Sequence, residues 1–234
     1  MRRAFTSERS THIDMPPTKV KAGFTLAEVL ITLGIIGVIS AMTIPSLITK
    51  YNERATVTKV KEVYSIIAQA MLLVEPEYGT PETWGLDTSF YTRKNAEKIG
   101  EVMKHGLKLS LDCGIQDPHK QCVTQNRYPY LRGSGTTSSY NGDGFYKVVL
   151  SNGTHMWMGS TRNQVDFFFD VNGSLSPNVV GRDVFAITYF SGRGVQADGG
   201  PGDATPYETN CKLTGSGWGC AYYIIKFGNM NYLH

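Results

Sequence analysis

Glu28 is the single ionisable side chain in an apolar run that extends from Phe24 to Ile48. A carboxylate inside hydrocarbon is costly and is a functional hypothesis by default. The plainer alternative is that, near one end of the run, it reaches the headgroup layer. Four cysteines are the other reactive groups, in two pairs of equal spacing, Cys113 with Cys122 and Cys211 with Cys220. An even count points to disulfides and an oxidising compartment. Local bridges Cys113–Cys122 and Cys211–Cys220 are expected, although four cysteines leave the connectivity open. A zinc site is disfavoured because structural zinc pairs usually have two to four residues between ligands, and free buried thiols are the remaining alternative.

Other chemistry is missing. The sequence has no Gly-x-Ser-x-Gly elbow, no His-Glu-x-x-His pair, no phosphate loop and no Cys-x-x-Cys, so no catalytic residue, no metal and no cofactor is assigned. His105, His119 and His155 lie far apart and read as ordinary histidines. Asp170-Val171-Asn172-Gly173 holds a fragment of a calcium loop, but no acid follows at the EF-hand spacing, and a tight turn after a strand accounts for it better.

Placing Glu28 requires a membrane helix. About 20 apolar residues cross a bilayer, so Phe24 to Ile48 can span. A cleaved signal peptide would have a shorter apolar region. Lys50, Arg54, Lys59 and Lys61 follow the span as closely as basic residues precede it, so charge does not fix orientation. The chain's net charge of +3 resides in residues 1–23, where five basic residues meet two acidic ones, and the remainder sums to zero. No nucleic-acid partner is indicated.

The stretch Lys21-Ala22-Gly23-Phe24-Thr25-Leu26-Ala27-Glu28-Val29-Leu30, followed by an apolar tract containing Pro45, resembles the processing site of type IV pilins and type II secretion pseudopilins. The resemblance implies that prepilin peptidase cuts after Gly23, that the new N-terminal Phe24 is methylated, and that Glu28 is needed for assembly. The implied partners are the peptidase, other pilin or pseudopilin subunits, an inner-membrane assembly platform and membrane lipid. The implied location is the inner (cytoplasmic) membrane, crossed once, with the C-terminal domain in the periplasm or in an extracellular filament. The expected function is that of a structural subunit with no catalysis of its own. A membrane-anchored binding domain or enzyme, using the apolar helix only as an anchor, is the alternative, but such an anchor has no use for the Gly23 site or Glu28. Met15 is an alternative start within the leader.

The organisation expected is a leader over 1–23, a transmembrane helix over 24–48, its amphipathic continuation over 49–76, and an extracytoplasmic α+β domain over 77–234. Val57, Val60, Tyr64, Ile67, Met71 and Val74 recur at helical spacing and mark one buried stripe. Pro45 is expected to kink or loosen the helix near Ala41, and Glu75-Pro76 to end it. Ala27, Gly34, Gly37 and Ala41 form a small-residue strip that lets helices approach in lipid. A second helix is expected over 93–105. Strands are expected at 145–150, 154–159, 165–170, 184–190 and 221–227, the first two joined as a hairpin at Ser151-Asn152-Gly153. Gly133 to Gly144 and Gly192 to Asn210 read as surface loops. By the resemblance, Cys211 to Cys220 frames a contact or ligand-facing loop. An antiparallel sheet packed on the long helix follows.

Overall fold

The computed structural model describes residues 23–161 and 164–234, so the leader through Ala22 lies outside the described residues. The chain divides into two compact units, the second beginning at Ile48. Helix α1 (Leu26–Tyr78) supplies the first unit and the opening of the second.

In the first unit α1 is apolar on every side, and its large side chains are exposed, Leu26 at 78% and Leu30 at 61%. A helix that is hydrophobic all round is a membrane span or part of a large core, and none of the described residues covers this one. Two of its threonine hydroxyls are satisfied internally, as lipid requires. Thr32 Oγ1 donates to the Val29 carbonyl at 3.0 Å and Thr43 Oγ1 to the Ile39 carbonyl at 2.9 Å. Helical structure continues unbroken through Pro45.

In the second unit α1 becomes amphipathic. Val57, Val60, Val63, Ile67, Ala70, Met71 and Val74 are buried, while Tyr64 is half-buried at the edge of the stripe. Burial of side chains of this size contributes roughly 1.5–3 kcal/mol each. The helix ends beyond Pro76, at Tyr78, where Gly79 takes a left-handed φ of 74° and its amide bonds the Glu75 carbonyl at 2.9 Å. Pro76 has no amide for the Leu72 carbonyl, and the helix stops two residues beyond it.

Against this stripe lies a six-stranded antiparallel meander in chain order: β1 (Leu109–Gly114), β2 (Tyr146–Leu150), β3 (His155–Thr161), β4 (Gln164–Asp170), β5 (Val184–Phe190) and β6 (Gly194–Ala197). Side-chain alternation gives the sheet two apolar faces. Phe167, Phe169, Phe185 and Ile187 join the core built on α1, while Trp157, Phe168, Val184 and Ala186 form a second cluster with Tyr128, Tyr140 and Phe145. Polar links fix the helix on the sheet, with Tyr64 Oη donating to the Val195 carbonyl at 2.9 Å and Tyr189 Oη to the Glu75 carboxylate. Helix α2 (Arg93–Met103) is capped by Thr92, whose side chain accepts the Asn95 amide. The 151–153 turn closes the β2–β3 hairpin, with Gly153 at a φ of 82°.

Residues 221–227 are not a strand. They fall within helix α4 (Cys220–Phe227), which buries Cys220, Ala221 and Ile224 at helical spacing and ends on Gly228 at a left-handed φ of 69°. A short continuous apolar run carries no period, and here the glycine stop and the tertiary fit select the helix. The stretch 192–210 also holds more than loop, namely β6 and a single helical turn, α3 (Tyr207–Asn210).

Candidate functional site

The N-terminal site is assembled by one turn of helix. Gly23 has open space around its α-carbon, Phe24 is 89% exposed, and Thr25 directly precedes α1. The Thr25 amide and hydroxyl both donate to Glu28 Oε2 at 2.8 Å, while the Glu28 amide donates back to Thr25 Oγ1 at 3.2 Å. This is a reciprocal capping box that satisfies helix-end donors which would otherwise face lipid unpaired. The Thr-x-x-Glu spacing ahead of an apolar run is a legible signal for it. The carboxylate is therefore engaged within its own chain, and Gly23, Phe24 and Glu28 are each exposed.

The four cysteines sit in the second unit as two bonded pairs, Cys113–Cys122 and Cys211–Cys220, each nine positions apart. Two residues that sequence reasoning passed over organise the first loop. Asp117 accepts the amides of Gln121, Cys122 and Val123 at 2.7–2.8 Å. Lys147 is fully buried, and its ammonium donates to the carbonyls of Ile115, Gly142 and Phe145. Burial lowers its pKa. A lysine between apolar residues in Tyr-Lys-Val-Val-Leu was the available signal. Cys113, Asp117 and Cys122 lie together, but both thiol sulfurs are consumed by the bridge.

The Asp170–Gly173 segment is a turn. Asp170 Oδ1 accepts the Asn172 and Gly173 amides at 3.1 and 3.0 Å, and the Asn178 amide, oriented to donate, reaches Oδ2 at 2.8 Å. Asp183 accepts the Asn178 and Val179 amides at 2.7 and 2.6 Å. His155 packs beside this turn with Nδ1 at 3.1 Å from the Cys122 carbonyl, and burial lowers its pKa. His105 stacks on Tyr78 and His119 is exposed, so the three histidines form no cluster.

Burial, reinforced by the neighbouring Asp183, pushes the Asp170 carboxyl up to about 8. An acid with a raised folded-state pKa stabilises the fold fully below its unfolded value and loses that contribution as pH rises toward the folded value. The chain is therefore expected to melt at a lower temperature at pH 8 than at pH 6.5. This window lies above the range in which the depressed His155 titrates. The slope from one such group is at most about 1.4 kcal/mol per pH unit. Asp170→Asn, which keeps an acceptor oxygen for the turn, should reduce it without abolishing it, because burial pushes Asp198 up to about 8 as well, and an unchanged slope in thermal melts would refute the assignment.

A Gly-Phe junction leading into a capped, lipid-compatible helix, with an antiparallel sheet packed on that helix's continuation, is the arrangement expected of a type IV pilin-like protein. The model of the prokaryotic N-terminal methylation motif matches residues 18–44. A family of unknown function, DUF6613, matches residues 46–200, and the chain belongs to that family. No curated protein and no solved structure matches. The methylation motif marks the chain as a membrane-anchored substrate of prepilin peptidase and a structural subunit type that assembles with other pilin subunits.

Proposed function

We propose that the chain is a filament subunit of the type IV pilus or type II secretion pseudopilus class, cut between Gly23 and Phe24 and N-methylated on Phe24. It waits in the cytoplasmic membrane with its α+β domain on the outer side until an assembly platform draws it into the filament. The observation that carries this reading is the first unit itself. Its helix is apolar on all sides and uncovered, and its single ionisable group, Glu28, lies beside the proposed cut. Lipid covers such a surface before assembly and neighbouring helices cover it afterwards, with the strip of Ala27, Gly34 and Ala41 permitting close approach. Deleting the gene and scoring surface filaments, protein secretion and DNA uptake together tests the reading. Loss of a filament-dependent trait, restored by the intact gene, is expected. Retention of all three traits, with the protein absent from sheared filaments, would oppose it.

The two bridges fit an extracytoplasmic domain. Each closes a loop of about 10 residues, for which the chain-entropy model gives about 2.5–3 kcal/mol of stabilisation. Replacing Cys211 and Cys220 together by serine should lower the unfolding free energy by about that amount. Non-reducing peptide mapping of wild type should recover the two local bridges; free thiols would remove the case for an oxidising compartment, and crossed pairs would remove the two local loops.

A further inference from the structure

The sheet face turned away from α1 is only partly covered by its second aromatic cluster. A cavity of about 660 Å³ opens there, bounded by β4, β5 and the segments around 130–144 and 198–218. Half-buried Tyr130 and Trp218 line it. Trp218 packs edge-on against Phe168 and Tyr140, with ring centroids 5.5 and 6.5 Å away. Its indole nitrogen makes no hydrogen bond among the described residues. The residue is held in place by its loop, which the Cys211–Cys220 bridge closes and which Leu131 and Arg132 anchor by amide bonds to the Ser216 and Gly215 carbonyls at 3.1 and 3.0 Å. A preformed aromatic wall is the result.

Groups of both hydrogen-bonding senses face this wall. Ser139 presents an exposed hydroxyl. At the far side Thr188 Oγ1 lies 3.1 Å from Asp166 Oδ1 and 2.9 Å from Asp198 Oδ1. One hydroxyl proton serves only one of these carboxyls at a time. Burial, with Asp203 and Asp166 close by, pushes the Asp198 carboxyl up to about 8, so at neutral pH it carries its own proton and can donate as well as accept. Asp203 already accepts the Gly199 and Thr205 amides at 2.8 and 3.1 Å. Asp166 accepts the Tyr91 hydroxyl and the Gln164 side-chain amide at 3.0 and 2.9 Å, so this side of the cleft holds carboxyls already engaged by donors beside a protonated Asp198 that can itself donate. They suit a neutral ligand rich in hydroxyls, and the rings suit one with an apolar face.

We propose that this cleft binds a neutral saccharide of one or two rings, a pyranose face lying against Trp218 and its hydroxyls meeting the polar side. Pockets for small ligands run from about 300 to 1,000 Å³, so the volume fits. The proposal stands apart from the filament reading and holds whether or not the chain polymerises.

The test uses the full chain purified in lauryldimethylamine oxide, because alkyl glycoside detergents would themselves enter the cleft. Maltose, cellobiose, lactose and N,N′-diacetylchitobiose are titrated by calorimetry and tryptophan fluorescence, with spermidine as a cationic probe. At least one disaccharide is expected to bind saturably with a Kd near 1 mM or below, on the order of 4 kcal/mol. Trp218→Ala should weaken it at least about tenfold. Ser139→Trp, at an exposed position, should block the cleft with an unchanged melting temperature. Failure of all four disaccharides to bind, spermidine binding in their place, or undiminished affinity in Ser139→Trp would each overturn the proposal.

Discussion

Glu28→Ala and Glu28→Gln should both reach the membrane and be cleaved like wild type, yet each should fall at least about tenfold in sheared filaments. Two roles compete for this residue. In the chain as it stands Glu28 caps α1 through Thr25, and glutamine at the same position preserves a capping box while alanine does not. After the proposed cleavage Phe24 gains an α-amino group, and such groups titrate at about 7.7–8.0, so it is cationic at neutral pH. Glu28 stands one helical turn from that amine. Burying either charge alone in a filament is expensive, whereas burying them as a pair, within a subunit or between neighbours, is not. If the charge is what assembly needs, alanine and glutamine fail alike. Wild-type incorporation of Glu28→Gln with loss of Glu28→Ala would assign the residue to capping alone and end the pairing mechanism. Quantifying the subunit in purified filaments, at matched membrane levels, decides between them.

Gly23→Val should abolish processing outright and leave the leader attached. A β-carbon at Gly23 would meet nothing within 4 Å among the described residues, so the substitution has no steric conflict with them. Its effect must then arise where a peptidase closes on the scissile backbone and a branched side chain stands in the way. Retention of the leader also keeps Phe24 in peptide linkage, which removes the amine that Glu28 would pair with, so assembly should be lost together with cleavage. Immunoblots of membranes would show a single slower band. Normal cleavage of Gly23→Val would place the cut elsewhere, and with it the identity of the first mature residue.

Much of this architecture is legible because it rests on period. The stripe from Val57 to Val74 repeats every three or four residues, and one face of one helix is buried as that spacing dictates. Strands β2 to β5 announce themselves by β-branched and aromatic runs between turn residues, and Ser151-Asn152-Gly153 closes its hairpin by local chemistry. What the chain alone hides is tertiary. Residues 221–227 are apolar without a period, and only the core they enter makes them helical. Strand β6 lies in a glycine-rich stretch and exists because β5 offers an edge. Asp117 and Lys147 look like surface charges until the loops they bond are seen around them. At the N-terminal site the residue types are readable, and the spacing of Thr25 and Glu28 carries the capping role beside the intramembrane charge.

Intact-mass analysis of the protein extracted from its native membranes tests the central claim most directly. The account predicts a chain that begins at Phe24, carries one added methyl group and retains the whole apolar run. A chain that keeps its leader, or one that begins near Met42 with the apolar run removed, would contradict it.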